Sequence, residues 1–76
     1  MKKRYFDRYK KIGLKISYYR KLKGFTQEQL AEEIEKHPSF ISAIEAPNMY
    51  KVLSINTLFD IAIVLDVEPY KFFVDD

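Results

Sequence analysis

Apolar residues recur at three- and four-residue steps in successive stretches of this chain, the period of helices buried on one side. Tyr5, Tyr9, Ile12, Ile16 and Tyr19 mark a first helix within about Lys3 to Lys23, with Gly24 as its stop. Leu30, Ala31 and Ile34 give a stripe from Gln27 to about Glu35, and Ile41 and Ile44 another from Pro38 to about Glu45. A fourth stripe, Leu58, Ile61, Ala62 and Leu65, follows Ser54, a favoured N-cap. The segment 46–53 contains Pro47 and Asn48 and reads as a loop. Pro69 then opens a short fifth helix in which Phe72 and Phe73 are expected to face inward. The expected architecture is all-α, five helices and no strand.

The start signals agree best between Phe25 and Glu45. Thr26 and Gln29 form an S/T-x-x-E/Q capping box, Phe25 and Leu30 occupy the two positions of a hydrophobic staple, and Leu53 and Leu58 repeat that staple around Ser54. Pro38, at a first helical position, restarts the chain three residues after Glu35. Two short amphipathic helices this close must cross at a steep angle, so residues 26–45 have the shape of a helix-turn-helix.

Composition narrows the function. Seventy-six residues make one domain, and a chain of this size buries only about 60% of its unfolded surface, which leaves little room for a deep catalytic cleft. With no cysteine there is neither a disulfide framework nor a thiolate metal site, in keeping with a reducing cytoplasm. His37 is the single histidine and cannot hold a metal alone. The longest apolar run, Ile61 to Leu65, is far below the ~20 residues of a membrane span, and Lys2, Lys3 and Arg4 lead into no apolar signal core. No P-loop or H-E-x-x-H is present, and an enzyme is not expected. The net charge of +2 conceals an asymmetry: residues 1–23 carry ten basic side chains against Asp7 alone, +9, which leaves −7 for the rest. A block this basic, densest in the extension 1–11, calls for an anionic partner, nucleic acid or acidic lipid, unless it is only a solvated helix face.

Over Ile12 to Phe73 the chain resembles the phage-repressor-like Cro/CI helix-turn-helix proteins, the XRE family. The resemblance rests on Ile12-Gly13, Arg20, the run Thr26-Gln27-Glu28-Gln29-Leu30-Ala31, the block Ile41-Ser42-Ala43-Ile44-Glu45, and the closing stretch from Leu58 to Val67. It implies a lambda-repressor-like DNA-binding domain acting as a small transcriptional regulator, a homodimer on double-stranded DNA, with no cofactor and no small-molecule ligand. It also implies that helix 38–45 lies in the major groove and that His37, Pro38, Ser39, Ser42 and Ala43 face base edges. Gln27 would clamp a phosphate, with Lys36, Asn48, Tyr50 and Lys51 as further phosphate contacts. Arg20 and Glu45 would form an internal ion pair, a scaffold and not a site. A dimer contact is expected around Val67, Pro69, Tyr70 and Phe73.

Several of these residues have a second reading. His37 is equally a turn residue; Lys36 a solvated side chain; Phe40, beside Ile41 and Ile44, packing in place of a wedge against sugar or thymine. Ser39 and Ser42 hydroxyls pair with several bases, so direct readout should be permissive. Glu35 stands where the family carries a left-handed glycine, at a cost of about 1 kcal/mol or with a different turn, and Ala46-Pro47 replaces a glycine expected after Glu45. The alternative function is a protein-interaction module of the same fold, a partner-binding or antitoxin-like subunit with weak base readout. A third, membrane binding through the basic aromatic N-terminus, conflicts with the need for the first helix in the core.

Overall fold

The computed structural model describes residues 5–47 and 51–75. Four α-helices follow one another: α1 (Phe6–Leu22), α2 (Gln27–Glu33), α3 (Pro38–Glu45) and α4 (Ile55–Leu65). A 3-10 turn, Pro69–Phe72, takes the place of the expected fifth α-helix. Four residues are too few for a stable α-helix here, and tighter i to i+3 bonds close the segment instead. That tighter winding buries Phe72 and leaves Phe73 exposed, so only one of the two phenylalanines expected inside is there. No strand is present among the described residues.

Local sequence starts and stops these helices. At α2 the Thr26 hydroxyl accepts from the Gln29 N–H at 3.0 Å while the Gln29 side chain accepts from the Thr26 N–H at 2.9 Å, the reciprocal capping box. Ser54 caps α4 without the reciprocal bond, its hydroxyl accepting from the Thr57 N–H at 3.1 Å. Such a cap is worth about 1 kcal/mol. Three helices end in the same paired bond. The Phe25 N–H donates to the Arg20 carbonyl and that of Gly24 to Lys21; Lys36 and Glu35 do so to Ala31 and Glu32; Val67 and Asp66 to Ala62 and Ile63. This Schellman closure needs one residue with positive φ, and the three are Gly24 at 81°, Glu35 at 58° and Asp66 at 55°. Glu35 therefore keeps the left-handed turn without the glycine, and it shortens α2 to Glu33.

A β-carbon in that region is strained, and glycine is not. Glu35→Gly is expected to raise stability by about 1 kcal/mol. Urea denaturation measures it: an unchanged or lower midpoint would show that the Glu35 side chain offsets its own strain.

The core joins all these elements. Ile16 of α1, Leu30 and Ala31 of α2, Ile41 of α3, Ile61 and Leu65 of α4, and Phe72 of the 3-10 turn are all buried. Ile12, Tyr19, Phe25, Phe40, Leu53 and Val67 pack around them. Tyr19 sets its ring edge-on to Phe72, centroids 5.9 Å apart.

Two features fix the angle of α3 to the rest. Gly13 is buried in α1, and a β-carbon there would overlap the Ile44 carbonyl oxygen, so α1 lies directly on the last turn of α3. Beside it, Arg20 reaches Glu45 with two hydrogen bonds, Nε to Oε2 at 2.7 Å and Nη2 to Oε1 at 2.9 Å. Its Nη1 donates to the Phe25 carbonyl at 2.7 Å. The two side chains are only 8% and 5% exposed, yet no buried side-chain polar atom among the described residues lacks a partner. One guanidinium thus holds the end of α1, the entry to α2 and the end of α3 together.

Candidate nucleic-acid interface

The outward face of α3 follows from its inward one. Burying Ile41 and Ile44 turns Ser39 and Ser42 outward, with His37 and Pro38 exposed at the helix start and Ala43 half-buried at the edge. Five residues named from the sequence therefore lie at the start or along one side of a single helix. His37 is also the N-cap: its Nδ1 accepts from the Ser39 N–H at 3.1 Å and lies 2.9 Å from the Ser39 hydroxyl. That cap requires an unprotonated Nδ1, which places the imidazole N–H of the neutral ring on Nε2 as an outward donor. His37 is a turn residue by its structure, with one polar atom left over for a ligand.

Phe40 organises the charge beside this helix. Half-buried against the core, its ring has the Lys36 ammonium 5.4 Å and the Lys51 ammonium 5.9 Å from its centroid. Both are within cation–π range. Two lysines 15 residues apart in the chain are thereby gathered at one ring next to the exposed start of α3. Sequence reasoning named both lysines and read Phe40 as packing; it missed that packing and lysine placement are done by the same ring. The +1 and +4 spacing of Lys36 to His37 and Phe40 was the available signal.

Gln27 sits half-buried at the start of α2, and its amide donates to Glu45 Oε1 at 3.0 Å. This uses one of the two amide N–H groups on the scaffold. Gln27 is thus tied to the same carboxylate as Arg20. Asn48 and Tyr50 lie outside the described residues.

A short exposed helix, packed on a second one and with two lysines gathered beside it, has the form of a helix-turn-helix. The chain belongs to the XRE-type helix-turn-helix family: a family model described as helix-turn-helix matches residues 16–72. No curated protein matches the chain. Among solved structures it is similar to SinR, a master regulator for biofilm formation, in complex with DNA, with 36% identity over 83% of this chain and 98% of that one and a TM-score of 0.75. The restriction-modification controller protein C.AhdI from Aeromonas hydrophila is 28% identical over 86% of this chain and 96% of that one, TM-score 0.76. A hypothetical transcription factor from Neisseria shares the fold at 21% identity, covering 87% of this chain and 74% of that one, TM-score 0.77. No helix among the described residues is long and apolar enough to cross a membrane.

Proposed function

We propose that this regulator binds double-stranded DNA in a sequence-selective way, α3 in the major groove, as a homodimer on a short inverted repeat in the cytoplasm. The observation that carries it is the exposed side of α3 beside the Phe40-centred lysine pair. His37, Pro38, Ser39, Ser42 and Ala43 meet base edges, while Lys36, Lys51 and the remaining amide N–H of Gln27 hold phosphates, with Asn48 and Tyr50, outside the described residues, in the same role. Phosphate contacts set register and supply most of the affinity; the few hydroxyls and apolar groups of α3 set the sequence. This reader set is thin, because the Ser39 hydroxyl is shared with the His37 cap. That observation also favours the second reading, a partner-binding module with weak base readout.

Selection of bound duplexes from a random pool at physiological salt separates the two, since nonspecific attraction is already weakened there. An inverted repeat should be enriched, and the Ser39→Ala, Ser42→Ala double variant should lose about tenfold or more in preference for it over random duplex. Binding without enrichment, vanishing as salt rises, would transfer the function to protein partners.

A further inference from the structure

Helix α1 is apolar on two sides. One side enters the core through Ile12, Ile16 and Tyr19; on the other, Leu14, Tyr18 and Leu22 form an exposed row at four-residue steps. Lys11 and Lys21 stand exposed beside that row, with Lys15 half-buried along it. Helix α4 carries a second exposed row at the same spacing, Ile55, Phe59 and Ile63, with Asp60 and Asp66 exposed beside it. The two rows meet, because Leu22, Phe59 and Ile63 line one groove with Tyr19 and Val67. Exposed apolar rows of this extent on a small protein mark a contact surface.

We infer that the two rows are the two halves of one interface, α1 of one copy lying on α4 of a second copy and the reverse across a two-fold axis. Charge favours this pairing over α1 on α1, the shared groove carrying Lys23 and Lys71 as well as Asp66 and Glu68. Setting α1 against α1 would bring lysines to lysines, whereas α1 against α4 brings Lys11, Lys15 and Lys21 to Asp60 and Asp66, which like-charge repulsion and opposite-charge attraction both favour. The hollow beside the α1 row already holds one carboxylate, since Asp75 approaches Lys11 at 3.5 Å and lines it with Leu14 and Tyr18. Six side chains per copy, at roughly 100 Å² each, would bury about 1,200 Å² over two copies, the size of a specific interface. A two-fold axis makes the contact self-complementary and closed, so it stops at the dimer. Of the residues named from sequence for this contact, Val67 and Pro69 lie on the same groove. Phe73 lines a second hollow with Tyr5, which reaches the Ile55 end of the α4 row. The inference rests on the homodimer reading and names its surface.

The test is sedimentation of the whole chain, alone and with a duplex. Leu22 and Ile63 are 64% and 78% exposed, so Leu22→Lys and Ile63→Asp leave the monomer folded, which thermal melting checks. Each variant alone should raise the dimer dissociation constant about thirtyfold or more. Mixed in equal amounts they should recover dimer at concentrations where each is a monomer, because the mixed pair keeps one unaltered α1–α4 contact and gains a lysine opposite an aspartate in the other. If the unmodified chain pairs but both variants pair equally well, the surface lies elsewhere while the homodimer reading stands. If the unmodified chain is monomeric both alone and on DNA, contact and homodimer fall together. Loss of pairing without recovery on mixing would show that the rows are not each other's partners, and uptake of the α1 row by phosphatidylglycerol vesicles in place of pairing would assign it to lipid.

Discussion

Gly13→Ala is expected to destabilise this protein by about 2–3 kcal/mol, a net of two opposed terms. Alanine is the better helix former by about 1 kcal/mol in an exposed helix, so a surface reading of α1 would predict a gain. The new β-carbon, however, would overlap the Ile44 carbonyl oxygen and stand 3.0 Å from its carbon. Both are backbone atoms, and no rotamer change relieves the clash. Overpacking of this kind costs about 1–3 kcal/mol, occasionally more; here about 3–4 kcal/mol is expected, because α1 can retreat only by stretching the Arg20–Glu45 bonds. For a domain of this size each kcal/mol moves the melting temperature by roughly 4–8 °C. Thermal denaturation should therefore show a fall of about 10–20 °C. A melting temperature at or above that of the unsubstituted protein would mean that α1 and α3 are not in backbone contact.

Glu45→Ala should cost more. Removing the carboxylate leaves a buried guanidinium with Phe25 O as its single partner, and strips the Gln27 amide of its acceptor. Breaking a buried pair from one side costs 3–5 kcal/mol, because the remaining charge stays desolvated. Domains this small are stable by only about 4–11 kcal/mol, so the variant should be partly unfolded near physiological temperature. Glu45→Gln keeps the shape and one acceptor oxygen and should fall between. Arg20→Lys should behave like a deletion, since one ammonium cannot span three elements in a fixed fork. Circular dichroism against temperature orders the set; a Glu45→Ala protein melting within a few degrees of the unsubstituted one would show that water replaces the pair at no cost.

These two sites also bear on the proposed DNA contact. Gln27, the proposed phosphate contact, and Glu45, at the end of the proposed reading helix, share a hydrogen bond, and Arg20 binds the same carboxylate. In the proposed complex, the spacing between phosphate contact and base contact would thereby be set by this shared carboxylate.

Much of this was legible in the chain. Thr26, Ser54 and Pro38 announce their helices because a cap is a contact within three residues, and Gly24 ends α1 because its positive φ is a local demand. The helix-turn-helix at 26–45 and the outward side of α3 follow from that. Asp66 closes α4 as Gly24 closes α1, with no glycine to signal it. The departure lies at Phe72 and Phe73, where the choice between a 3-10 turn and an α-helix is made by packing on Tyr19 and the core.

The sequence by itself determined where α2, α3 and α4 begin, which side of each is apolar, and that the N-terminal third is basic. Only the tertiary structure decided that a second apolar row of α1 stays uncovered, why residue 13 is a glycine, and that Lys36 and Lys51 meet at Phe40. The division is physical. Caps and periodicity are settled by atoms within one or two turns, whereas a close backbone approach, a shared guanidinium or an uncovered row depends on groups dozens of residues away.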